Sequence, residues 1–505
     1  MSSKSSVTQT GGQSLIMMRS DELPETHRAA ARIEQGGGEV MHIFGPRLMI
    51  GRVPEKIREG VAAAPTVRSL HADERVSRAP EPLSETEQLG LEAWNLRQSE
   101  GFVEAKRERP REGERWDGPD VIEPPDGPGM SHVGESDVMG APEMAAEDMS
   151  PYLIGSVAVG LIIVEGPTAA LQFTAEERAK VVAEVQEGLT WLGRREPRAS
   201  VSWSYDIRTI RVNVQPDSSL TGYEPLEAHW RNPAMGQLGF SQNFQGVRDY
   251  VASIRNRLGT RWGYVAYFTK YPVNHFAYAA KPRLVMHYQN DGWGPDNIDR
   301  VFTHETGHIF GCPDEYTESG CNCNSVYGYL QEKNGNCQRC ASPFVPCLMA
   351  ANTWAMCRHT PVHLGWRDSD GDGTLDPVDP LASPQVDWNR LLRRFPGLRD
   401  TFGRHGLAPA QASADAPAHD SIPLFLLRRV LDTEQMRAVE QALAAEEDQY
   451  VEALSTKLST IAREIKSSQQ GSEEKAEPAA AASRRGSSKK SASKGRKSAP
   501  KGRRR

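Results

Sequence analysis

The sequence predicts an α+β protein, and three observations carry that prediction. Residues 14–73 switch between apolar period two and period 3.6 in the order strand, helix, strand, strand, helix, strand. From Pro151 a strand, a long amphipathic helix and several further strands lead into a helix that carries HETGH at 304–308. All seven cysteines then fall between Cys312 and Cys357, which marks a loop-rich region held by covalent or metal cross-links.

Taken in order, residues 1–13 are polar and read as disordered. SLIMMRS, ETHRAAARIEQ, EVMHIFG, RLMIGRV, PEKIREGVAAA and TVRSLHA supply the six elements of a small ferredoxin-like unit over 14–75. Its layout resembles the propeptide-inhibitor domains of subtilisin-like proteases, which implies a pro-region. Residues 76–150 include ERPREGERW and EPPDGPGMSH and read as a mostly disordered linker with one helix at SETEQLGLEAWNL. SVAVGLIIVEG, FTAEERAKVVAEVQEGLTWLG and ASVSWSYDIRTIRVNV open a larger domain over 151–367 as strand, helix, strand. RWGYVAYFTKY, HFAYAA and KPRLVMHYQ add strands before the HETGH helix. DWNRLLRRF, DSIPLFLLRRVL and a helix from Thr433 to Ile465 predict a helical region over 381–467. In the last helix Met436, Val439, Leu443, Tyr450, Leu454, Leu458, Ile461 and Ile465 form a coiled-coil-like stripe.

The net charge of -6 hides an asymmetry, because the stretch from Arg484 to Arg505 holds 11 basic residues and no acidic one, leaving -6 - 11 = -17 on the rest. Residues 468–505 therefore read as a disordered basic tail suited to nucleic acid or another polyanion. The apolar run from Leu153 to Val164 falls short of the roughly 20 residues of a membrane helix, so no membrane span is expected. No secretory leader is visible at the start of the chain.

Four residues apart on a helix, His304 and His308 share a face and suit a zinc ion. Glu305 lies beside that ion as general base and acid. Gly311 can adopt the positive φ that ends the helix and returns the chain, carrying Asp314 inward as third ligand. Three protein ligands and one open position describe a catalytic rather than a structural zinc.

HExxHxxGxxD resembles the metzincin signature in its snapalysin-like variant, and the DEY that follows also resembles bacterial DEY-type metallopeptidases. The resemblance implies a metzincin-like catalytic domain: a twisted mixed sheet, an active-site helix and a Cys-rich lower half. It implies a methionine turn at Met349, packing under the ligands, with Cys347 and Cys357 placed to staple that turn by a disulfide. It also implies peptide binding along an edge strand, for which HFAYAA is the candidate. Ala351 stands where related enzymes carry a tyrosine, which leaves Tyr316 as a candidate oxyanion donor.

Cys321, Cys323, Cys337 and Cys340 suit either disulfides or a second zinc, the tight CxC spacing favouring disulfides, and Cys312 is then the odd thiol. Residues 368–380 match a calcium loop, with Asp368, Asp370, Asp372, Thr374, Asp376 and Asp379 as ligands. Calcium and disulfides favour an exported protein. The expected function is that of a zinc-dependent metalloendopeptidase, acting through zinc-activated water with Glu305 as base. The alternative is a non-catalytic metal-containing binding protein led by its basic tail. No cysteine precedes Cys312, so latency through an upstream thiol on the zinc is excluded.

Overall fold

The computed structural model describes residues 12–77, 82–117, 149–369 and 371–379, with short stretches at 385–387, 392, 397–398 and 421–423. Six elements come first in the predicted order: β1 (Ser14–Met18), α1 (Leu23–Gln35), β2 (Glu39–Ile43), β3 (Leu48–Arg52), α2 (Glu55–Ala62) and β4 (Val67–Ala72). Their strands pair antiparallel in the order β4-β1-β3-β2. On one face Ala29, Ala30 and Ile33 of α1 meet Ile16, Met18, Val40 and Met49. The other face, with Leu15, Met17, Leu48 and Ile50, belongs to the core of the following chain.

Residues 82–117 correct the expectation of a mostly disordered linker. Here α3 (Glu85–Arg97) begins with a capping box: the Ser84 hydroxyl accepts from the Glu87 N–H, and the Glu87 carboxylate accepts from the Ser84 N–H. The next helix is α4 (Glu100–Arg107). Trp94 is fully buried, and Arg97 meets Glu187 at 2.9 Å and Gln13 at 3.1 Å. Lys106 pairs with Glu184 and Asp299, and Arg109 with Asp299. The charge-rich composition misleads because these cations are themselves packing groups, matched to buried carboxylates far along the chain. Gln13, expected in a disordered start, is fully buried as well. Residues 1–11 and 118–148 lie outside the described residues.

Then follow β5 (Ser156–Glu165), α5 (Ala175–Gly193), β6 (Ser202–Arg211), α6 (Tyr223–Gln237), α7 (Phe244–Leu258), β7 (Trp262–Thr269), β8 (Ala277–Ala280), β9 (Arg283–His287) and α8 (Ile298–Ile309). Strands β6, β5, β7 and β9 are parallel neighbours, and β8 closes the edge antiparallel to β9. Because β5 is covered on both sides, it is a continuous apolar run. Its Val157, Val159, Leu161 and Ile163 face a core with Val181, Val185 and Leu189 of α5 and Phe302 of α8. Its Ala158, Ile162 and Val164 face Trp230 of α6 and Tyr250, Val251 and Ile254 of α7. The last two helices occupy a span in which the periodicity had singled out no element.

A parallel contact joins the two parts, His42 opposite Trp203 and Ile43 opposite Ser204. The result is one nine-stranded mixed sheet, β4-β1-β3-β2-β6-β5-β7-β9-β8. Residues 14–75 and 151–367, expected as separate domains, therefore share a sheet and a core. His42 is buried at the seam, 2.8 Å from the Tyr205 hydroxyl and 2.7 Å from Thr190 Oγ1.

Beyond α8 come the short pair β10 (Val326–Tyr327) and β11 (Glu332–Lys333) and a single turn, α9 (Thr360–His363). Within the region expected to be helical, β12 (Gln385–Asp387) and β13 (Ser421–Pro423) pair antiparallel, with Val386 in register with Ile422, and Leu392 is helical. The rest of the predicted helical region, including the coiled-coil stripe, and the basic tail lie outside the described residues. Among the described residues no helix is long and apolar enough to cross a membrane.

Candidate metal centre

On α8 the four-residue spacing sets the His304 and His308 rings edge to face, with Nε2 atoms 3.0 Å apart. Gly311 takes φ +94°, and a Cβ there would lie 2.9 Å from the Cα of Gly328, so only glycine makes this turn without strain. The Cys312 N–H donates to the Gly307 carbonyl at 2.9 Å as the helix closes. Asp314 then arrives with Oδ1 3.2 Å from each Nε2. The three predicted zinc ligands are thus brought together.

Their chemistry fits a zinc ion. His304 Nδ1 lies 3.1 Å from the Leu348 carbonyl and His308 Nδ1 lies 2.8 Å from the Cys312 carbonyl. A carbonyl oxygen only accepts, so both Nδ1 atoms carry hydrogen and both Nε2 lone pairs face the shared point. Zinc–nitrogen bonds of about 2.0–2.1 Å in a tetrahedron put neighbouring ligand atoms about 3.3 Å apart, close to the triangle seen here. While both Nε2 atoms keep their lone pairs, neither donates to the buried Asp314 Oδ1 3.2 Å away, which has no other hydrogen-bond partner.

A proton can stand in for the ion. Burial alone would lower the His308 pKa, but Asp314 holds it up at about 9. Burial would raise Asp314, yet His308 and His304 hold it far below the usual carboxylate range. Beside them Glu305 is buried, and burial lifts its pKa above the ordinary value against the opposing pull of His304 and His308. Its Oε2 has no hydrogen-bond partner.

The surroundings hold this geometry. Met349 is buried, and its Sδ would sit 2.9 Å from a Cβ on Gly307, so a glycine is what lets the methionine lie under the ligand helix. Trp116, in the stretch expected to be a linker, rests against His304 with ring centroids 5.4 Å apart. Its Nε1 donates to the Leu348 carbonyl at 2.6 Å, the same oxygen that orients His304. A lone tryptophan in ERPREGERW was the signal available for it. Burial raises the pKa of Tyr316, with the charges of Asp314 and Glu305 adding to it, and burial raises that of Tyr223 as well. Nothing in spacing pointed to Tyr223.

Cys321–Cys337 and Cys323–Cys340 stand at disulfide distance, and Cys323, Cys337 and Cys340 also lie close enough together to form a group that could hold a metal ion. Cys312 is an unbonded buried thiol as expected, but so are Cys347 and Cys357. The disulfide implied for that last pair is corrected: Cys347 Sγ lies 3.1 Å from Thr360 Oγ1, and Cys357 Sγ donates to Glu315 Oε1 at 3.0 Å. In the acidic loop Asp368 accepts from the Gly371 and Gly373 N–H groups and from Arg198 at 2.6 Å. Asp376 accepts from Arg367 at 2.6 Å, and Asp372 from the Thr374 N–H at 2.7 Å. Asp379 is buried, and Asp370 lies outside the described residues. Among the described residues the loop brings no three carboxylates together around a point.

No protein-family model matches the chain, and neither a curated protein nor a solved structure does.

Proposed function

We propose that the chain is a zinc-dependent endopeptidase with a metzincin-like catalytic half. The observation that carries this reading is the convergence of His304 Nε2, His308 Nε2 and Asp314 Oδ1 on one point, beside Glu305, whose buried Oε2 has no hydrogen-bond partner. The finer architecture is supported by the antiparallel edge strand β8, the ligand helix α8 packed against it, and Met349 under Gly307.

Zinc held by His304, His308 and Asp314 would lower the pKa of a bound water to about 7 and polarise a peptide carbonyl. Glu305 would accept a proton at Oε2 and return it to the leaving amine, and burial raises its pKa above the ordinary carboxylate value. The outer edge of β8 offers main-chain partners to an extended peptide, which makes recognition independent of most side chains. Tyr316, two residues past the ligand Asp314, is the candidate donor for charge developing on the carbonyl oxygen, a role Ala351 cannot fill. The two disulfides fit an exported protein.

The test is cleavage of an unfolded generic protein by the purified full chain supplied with zinc. Glu305→Gln keeps the shape of the side chain and is expected to lower kcat by about 10²–10⁴-fold while zinc stays bound. Equal turnover by wild type and Glu305→Gln ends the peptidase reading.

A further inference from the structure

One residue past Asp314 the chain presents a second buried group of metal-binding side chains. Glu315, Cys347 and Cys357 are each almost or wholly inaccessible, and their ligand atoms all lie within 4.8 Å of one another. Asn336 Nδ2 donates to Glu315 Oε2 at 2.6 Å, turning Oε1 toward the two sulfurs. Thr360 Oγ1 sits among them, 3.1 Å from Cys347 Sγ, 3.2 Å from Cys357 Sγ and 3.4 Å from Glu315 Oε1. Among the described residues no lysine, arginine or histidine is ion-paired with Glu315. The partners of this buried carboxylate are an amide, thiols and a hydroxyl, none of them a cation that would balance its charge.

We propose that Glu315, Cys347 and Cys357 form a second metal site for a thiophilic divalent ion such as Zn²⁺, with the Thr360 hydroxyl at the fourth corner. Thiolate ligands select zinc over calcium or magnesium. Tetrahedral zinc with sulfur at about 2.3 Å and oxygen at about 2.1 Å separates sulfur from oxygen by about 3.6 Å, so the cluster opens by about half an ångström on binding. Both thiol protons leave to solvent, giving two thiolates and one carboxylate, -3 in all, around the +2 ion. The ion shields two thiols in a chain that oxidises its neighbouring cysteines. It also ties the Asp314–Glu315 segment to the Met349 loop, where the Glu315 N–H already donates to the Met349 carbonyl at 2.9 Å. The proposal does not depend on peptidase activity.

The experiment counts metal in the full chain purified without chelator and reads the absorption of its cobalt-loaded form. Two zinc ions per chain are expected in wild type, one in C347S/C357S and one in H304A/H308A. The thiolate-to-cobalt charge-transfer band should be present in wild type and in H304A/H308A and lost in C347S/C357S. If the double cysteine variant does not fold, Glu315→Gln and the wild-type cobalt spectrum decide alone. A zinc count that C347S/C357S leaves at the wild-type value, absence of the thiolate band, or a Cys347–Cys357 disulfide in peptide maps of the unreduced protein overturns the proposal.

Discussion

His308 carries the pH behaviour of the ligand triangle. Its pKa is raised from 6.5 to about 9 in the ion-free protein, so the proton shared with Asp314 stabilises the fold fully below about pH 6.5 and is lost as pH rises through 9. Zinc must displace that proton, and apparent zinc affinity is therefore expected to climb close to tenfold per pH unit from about pH 7 to 9 and then level off. Chelator competition at several pH values measures this; a flat profile would show that no proton is displaced. Gly311→Ala puts a Cβ on a φ of +94° and against the Gly328 backbone, and is expected to cost upwards of about 1 kcal/mol and weaken zinc binding with it. Thermal unfolding with and without zinc separates the two effects.

Helix α4 and the residues just past its end reach the helix that carries HETGH. Lys106 and Arg109 converge on Asp299, in the first turn of α8, and all three side chains are buried. Asp299→Ala leaves Arg109 without its carboxylate and Lys106 with Glu184 alone, and should destabilise the protein by about 3–5 kcal/mol, read from urea unfolding. This brace also explains what the sequence could and could not reveal. HETGH, Gly311 and Asp314 were legible because helix spacing and a glycine turn are local signals. The roles of Arg97, Lys106 and Arg109 were not, since their carboxylates stand 78 to 193 residues away. In the acidic loop the two-residue spacing matches a calcium ligand pattern, while the pairing of Asp368 with Arg198 and of Asp376 with Arg367 has no local signal in the sequence. Cys347 and Cys357 were seen as neighbours, but their shared partners Glu315 and Thr360 were not.

At the scale of the molecule, the N-terminal elements were legible one by one, while their attachment was not. Antiparallel pairing inside 14–75 follows from its turns, whereas the β2 to β6 contact joins strands about 160 residues apart through buried His42. Removing residues 1–117 would bare β6 as a sheet edge and strip Leu15, Phe44, Leu48 and Trp94 from the core. A chain beginning at residue 149 is expected to be recovered aggregated or without a cooperative thermal transition, which expression and calorimetry check. A soluble, zinc-binding product with full activity would restore the reading of 14–75 as a separable pro-region.

The same continuous sheet changes what a cut would do. Residues 12–117 and 149–369 meet through strand pairing, a common core and buried charges, so a protease acting anywhere between 117 and 149 would break one covalent link and release nothing. The two fragments should travel together through gel filtration and part only in denaturant. Maturation of this chain by clipping would then have to show itself as a change of rate in a complex of unchanged mass.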